Sequence, residues 1–136
     1  MSFVEDRLAD MLAGLNVRLV ESSKLDPQYN AVWHPASRTV IVRRDLDPVT
    51  RTCAIAHELG HIVNGDTCSS PRAERLADEW AALQLIEADR VEDVAADCDG
   101  VPTAVAAELG VTPHLLGVWM QLFAAGRVST MSCMIL

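Results

Sequence analysis

The sequence predicts an α+β domain, and three observations carry that prediction. Short alternating or β-branched stretches lie between residues 17 and 43. Apolar segments of helical period, several opened by proline, follow from residue 48 to residue 123, so strands come first and helices after. At 136 residues, half of them hydrophobic, the chain supports one core of modest size, so a single domain over residues 1–136 is expected.

Each element has its own signal. Phe3, Val4, Leu8, Met11, Leu12 and Leu15 recur at helical spacing and predict an amphipathic first helix that ends near Gly14. "VRLVES" then alternates as a short strand. "AVWHPASRTVIVRR" reads as two strands, 31–34 and 39–43, joined by a turn over 35–38. Asp47 before Pro48 starts a helix, because the carboxylate caps free N–H groups and proline fits the first helical position. Asn64 and Gly65 stop it, glycine accepting the left-handed conformation. Ser70 and Pro71 repeat the start signal for "PRAERLADEWAALQLIEA". "RVEDVAADC", "PTAVAAEL" and "PHLLGVWMQLF" read as three shorter helices, broken at Asp99–Gly100 and again over 110–112.

Composition excludes several classes. The net charge is −8 with 11 Lys and Arg, and the dense basic cluster of Arg43, Arg44 and Arg51 is balanced by Asp45 and Asp47, so no direct nucleic-acid binding is expected. No apolar run approaches the roughly 20 residues that span a bilayer. The acidic N-terminal stretch lacks a signal-peptide core, so the chain reads as cytoplasmic. Cys53, Cys68, Cys98 and Cys133 show no CxxC spacing and read as free thiols. The final "CMIL" formally fits a prenylation box, without the polybasic run that would support it.

The chemistry sits in "AIAHELGHIV". Successive helical residues are 100 degrees apart, so His57 and His61 project from one face a turn apart and can converge on one ion. Glu58 sits beside that face, where it can reach a water on the same ion as general base. Zinc suits this arrangement, since it accepts an open fourth position and lowers the pKa of a water to near 7. The bland alternative is an ordinary helix whose histidines find hydrogen-bond partners. Among neighbours as apolar as Ala54, Ile55, Leu59 and Ile62, burying three such groups unpaired would cost several kcal/mol, which favours the metal.

A third protein ligand is required. An HExxHxxGxxH arrangement would need Gly at 64 and His at 67, where Asn64 and Thr67 stand, so it is excluded. Glu74, in the first turns of the next helix, is the preferred ligand, with antiparallel packing bringing it to the histidines; Asp66, just past the helix stop, is the runner-up. Asp78, one turn beyond Glu74, could accept the free N–H of a ligating histidine. His34 and His114 read as solvated or hydrogen-bonded, and Glu79 as part of a solvated face. Cys53, one turn before His57, could make the site redox-sensitive, or be a small apolar residue.

"HELGH" followed by "ERLADEWAALQLI" resembles the ImmA/IrrE group of zinc metallopeptidases, whose pattern is HExxH and then E-x-x-A-[ND]-x-x-A. The similarity extends upstream through "WHPASRTVIVRRDLDPVTRTCAIAHELGH" and downstream through "VAAELGVTPHLLGVW", about residues 17 to 123. It implies a small zincin-like domain, with a metallopeptidase core over 17–90 and a helical cap over 91–126. It further implies Zn2+ held by His57, His61 and Glu74, Glu58 as general base, and a repressor-type DNA-binding protein as the substrate that is cleaved or inactivated. Trp80 stands where Phe is usual, and no sensory domain is evident. Peptidases of this architecture commonly take substrate as an added strand. Thr39, Val40, Ile41, Val42 and Arg43 are the candidate edge, the alternative being an ordinary paired strand.

Two other functions stay in view. A zinc-binding adaptor could grip a repressor and displace it without cleavage. "AAELGVTPHLLGVW" also resembles a helix-turn-helix, but its second helix offers Pro113, His114, Leu115, Leu116 and Gly117 where base-reading residues belong. Its stripe of Leu115, Leu116, Trp119, Leu122 and Phe123 is expected to pack on the core or on a partner protein. A second electrophile beside the metal is sought in Tyr29 or His34.

Overall fold

The computed structural model describes residues 3–128. In chain order the elements are α1 (Phe3–Gly14), β1 (Arg18–Ser22), β2 (Ala31–His34), β3 (Thr39–Arg43), α2 (Pro48–Asn64), α3 (Pro71–Leu85), α4 (Ala88–Asp97), α5 (Pro102–Leu109) and α6 (Pro113–Ala124). The fold is α+β, six helices around a three-stranded mixed sheet among the described residues. "CMIL" and Cys133 lie outside the described residues.

The sheet order is β1-β3-β2, with β1 parallel and β2 antiparallel to β3. This corrects the expectation that Thr39–Arg43 forms an edge. Thr39 pairs with both Arg18 and His34, and Val42 with both Glu21 and Ala31, so the strand is central and its ladder is filled on each side. The physical reason is in its composition: "TVIVR" is a nearly continuous β-branched run, with Val40 and Val42 wholly buried, as suits a strand covered on both sides. The outer strands are β1 and β2.

One continuous cluster of buried side chains runs from Leu8 and Leu12 of α1, through Val40 and Val42 of β3 and Ile55 and Leu59 of α2, to Leu115, Leu116 and Trp119 of α6. The predicted stripe on α6 therefore packs inward, with Trp119 stacked on Phe123 at 5.5 Å between ring centres. Arg51 joins three elements: it donates to Glu5 of α1 at 3.1 Å and to Glu21 of β1 at 2.8 Å. Arg43 donates to the backbone carbonyls of Asp26, at 2.6 Å, and Tyr29, holding the loop before β2. Two members of the basic cluster are thus spent on internal contacts.

The feature that positions the site is the approach of α2 to α3. Gly60 lies against Ala77 so closely that a Cβ at Gly60 would stand 2.8 Å from the Ala77 carbonyl oxygen and 2.9 Å from its Cα. Ala73, Ala77 and Ala81 on α3 are all buried. Small residues let the two backbones come close enough for short side chains to meet across the gap.

A candidate metal centre between α2 and α3

Local signals set both helices. Asp47 caps α2 by accepting the Thr50 N–H at 3.0 Å, and this exposed carboxyl is held below its ordinary pKa chiefly by the Thr50 hydrogen bonds. Ser70 caps α3 by accepting the Ala73 N–H at 3.0 Å. Pro48 and Pro71 open the two helices. Gly65, at φ 73°, ends α2 and turns the chain back, so the Asp66 N–H donates to the His61 carbonyl at 2.9 Å.

His57, His61 and Glu74 come together as the spacing suggested. Glu74 Oε2 is 2.8 Å from His57 Nε2 and 2.6 Å from His61 Nε2, and the two Nε2 atoms are 3.2 Å apart. Donors bound tetrahedrally at zinc distances stand roughly 3.3 Å from one another, so this trio needs only a small opening to accept the ion. The other ring nitrogens are already engaged. His57 Nδ1–H donates to Asp78 Oδ1 at 2.6 Å, and His61 Nδ1–H donates to Asp66 Oδ2 at 2.9 Å. Each carboxylate fixes the tautomer that turns an Nε2 lone pair toward the trio, an arrangement typical around metal-ligating histidines. Two lone pairs and a carboxylate facing each other at these distances repel unless a proton or cation lies between them, so the donor set fits a divalent metal.

The electrostatics agree. Burial works against a charged His57, but Asp78 and then Glu74 outweigh it and push its pKa up to about 9. A metal ligand must be neutral, so this proton marks the place a cation would take. Burial opposes the charged forms of Glu74 and Asp78 as well. It is overcome for Glu74 by His57 and His61, and for Asp78 by His57 and His114, leaving both below their ordinary values. Glu58 goes the other way: burial raises it more than His57 and His61 lower it. A carboxyl moved toward neutrality is better matched to general-base work.

A cleft runs along both sides of the trio. One half, about 340 Å3, is bordered by Asn30, Thr50, Cys53, Thr112 and His114. The other, about 320 Å3, is bordered by Val32, Trp33, Pro35, Thr67 and Cys68. Tyr29, Ala31, Glu58 and Glu74 face both halves, and β2 forms the wall. Among the described residues neither half is lined by Lys or Arg.

Sequence reasoning placed the remaining candidates unevenly. Asp66, weighed as a ligand, sits behind His61 instead, because the left-handed turn at Gly65 folds it onto Nδ1. His34 is engaged by Ser37, its Nδ1 2.7 Å from the hydroxyl, and borders neither half of the cleft. Tyr29 remains at the mouth. Cys53 is buried, burial raises its thiol pKa, and it is not among the converging donors. Cys53, Cys68 and Cys98 are free thiols. His114, read as solvated or hydrogen-bonded, is both: its exposed side chain reaches Asp78 Oδ2 with Nε2 at 2.8 Å. Ser69, which carries no motif of its own, donates its hydroxyl to Glu74 Oε1 at 3.1 Å. Only the Ser-Pro start of α3 hints at Ser69, and nothing local to His114 reveals its partner.

A short sheet, an HExxH helix and a glutamate from the next helix define a metallopeptidase-type domain. The chain belongs to the Peptidase M78 family, the IrrE N-terminal-like domain, whose profile matches residues 13–118. Among solved structures it is similar to a Mycobacterium tuberculosis transcriptional regulator, with a TM-score of 0.65 and 18% sequence identity over 85% of this chain. The match spans 39% of that regulator, so the two share a fold over less than half of its length. No match is found among curated proteins.

Proposed function

We propose that the protein is a zinc-dependent endopeptidase of the cytoplasm that cleaves or inactivates a repressor-type transcription regulator, as an antirepressor does. The single observation carrying this reading is the convergence of His57 Nε2, His61 Nε2 and Glu74 Oε2 beside a half-buried Glu58. His57, His61 and Glu74 hold the metal; Asp78 and Asp66 hold the two imidazoles. Bound there, zinc would supply Lewis acidity toward a peptide carbonyl and toward a water molecule. Glu58 takes the proton of the attacking water and passes it to the leaving amine.

Substrate adds as a strand to the outer edge of β2, the sheet edge that borders the centre, rather than to β3. A cleft bordered by Glu58, Asp66, Glu74 and Asp78, without Lys or Arg among its described residues, suits a segment of positive charge. DNA-binding proteins carry such segments, because they neutralise phosphates. The helix-turn-helix resemblance of α5 and α6 supports no DNA role here, since the start of α6 lies against the cleft and Arg43 and Arg51 are occupied.

The test pairs metal analysis of the purified protein with incubation against a candidate helix-turn-helix repressor. Wild type should contain zinc and cut the repressor, whereas Glu58→Gln should keep zinc and lose cleavage. An unchanged effect of Glu58→Gln on repressor release from DNA would instead favour a non-proteolytic adaptor, and protein that never takes up zinc would end the proposal.

A further inference from the structure

In a helix-turn-helix the first residues of the second helix face outward toward DNA. In this chain they border the cleft beside the metal-site residues. Thr112 caps α6 by accepting the Leu115 N–H at 3.2 Å, Leu115 is buried, and His114 crosses to α3, where Asp78 accepts from it. Thr112, His114 and Leu115 border the same half-cleft as Tyr29, Glu58 and Glu74. The start of α6 therefore walls the half-cleft that Ala31 of β2 also borders, thirty-six residues beyond Asp78 in sequence.

We infer that His114 contacts the substrate directly, its Nδ1 accepting a main-chain N–H of the bound peptide. Asp78 uses both oxygens, Oδ1 toward His57 and Oδ2 toward His114. In its neutral form an imidazole carries one N–H. Donating it from Nε2 to a carboxylate leaves Nδ1 as a lone-pair acceptor. Among the described residues Nδ1 has no protein partner, and the side chain is 70% exposed. An extended peptide alternates its N–H groups between its two sides, so a strand paired with β2 and running past Ala31 presents every second N–H away from β2, into the half-cleft that His114 borders. His114 is the acceptor waiting there, and Asp78 links its orientation to that of His57.

This rests on the peptidase reading, so the experiment separates the two. Zinc-loaded protein is titrated, well above the ordinary imidazole pKa, with acetohydroxamate and with two dipeptide hydroxamates whose backbones run from the chelating group in opposite directions. The variants are His114→Ala, His114→Asn and His114→Gln. Asparagine keeps an acceptor near the Nδ1 position, whereas glutamine keeps a donor near Nε2 for Asp78. Binding of one dipeptide hydroxamate should weaken about two- to tenfold in His114→Ala and His114→Gln, the worth of one hydrogen bond, and be retained in His114→Asn. Acetohydroxamate affinity and zinc content should be the same in all four proteins. Rescue by glutamine but not asparagine would mean that the ring serves only Asp78, and uniform binding of both dipeptide probes would mean that it touches no substrate. Either result overturns the inference while leaving the metal centre intact. Wild-type protein that binds no hydroxamate fails at the metal and overturns the peptidase reading with it.

Discussion

Helix α3 meets its two neighbours in opposite ways. Toward α2 it presents Ala77 to Gly60, backbone almost on backbone, with polar side chains bonded to one another beside the contact. The α6 side of the molecule is filled by Leu115, Leu116, Trp119 and Leu122, large residues that occupy volume. The first contact fixes distance and the second supplies burial. Donors that must converge within a few tenths of an ångström need a spacing set by backbone, since small residues have no rotamers with which to relax. A helix that covers a core needs apolar area, worth about 25 cal/mol per Å2, and tolerates more variation in how it is supplied.

Breaking the second contact should cost the most stability. Trp119→Ala removes a side chain that is 2% exposed and should destabilise folding by about 3–5 kcal/mol. Zinc per folded molecule should stay the same, as urea titration combined with metal analysis would show; a parallel loss of zinc at temperatures where the variant is folded would mean that the two contacts are not separate. Asp66→Ala probes the first contact from behind. It removes the acceptor that orients His61 and should lower zinc affinity about 10- to 100-fold, or ~1.4–2.8 kcal/mol, in a chelator competition. Gly60→Ala is subtler. Overpacking against the Ala77 backbone costs about 1–3 kcal/mol and the gain in helix propensity returns about 1, so the net loss of stability should be at most about 2 kcal/mol. Zinc affinity should nevertheless fall, because α2 and α3 must separate; unchanged affinity would show that the close approach does not set the donor spacing.

The smallest effect is a pH dependence of opposite sign in the two metal states. In metal-free protein His57 has its pKa raised from 6.5 to about 9, so its contribution to stability is complete below about 6.5 and lost as pH rises through about 9. Metal binding must displace that proton, so zinc affinity should climb over the same interval and uptake near neutral pH should release about one proton. Calorimetry in buffers of different ionisation enthalpy measures the release. No proton release would mean that His57 is already neutral in the metal-free state.

Much of this was legible in the residues. The Asp47-Pro48 and Ser70-Pro71 starts and the Gly65 stop mark both metal-site helices to within a residue or two, because caps are local chemistry. The i, i+4 histidines and the placement of Glu74 follow from helical period and a short connection. The position of β3 could not be read with equal security, since strand order depends on which distant segments pair, and β1 pairs with β3 rather than with its neighbour in sequence.

The sequence by itself determined the elements, their ends, and which residue types could grip a cation. Only the tertiary structure decided that β2 is the edge beside the centre, that Asp66 stands behind His61, and that His114 reaches Asp78. The division has one physical cause. Periodicity and capping act over a turn or two of chain, whereas contacts between distant residues depend on how whole helices pack, and that is set by the volumes and close approaches of side chains far from the residues that use them.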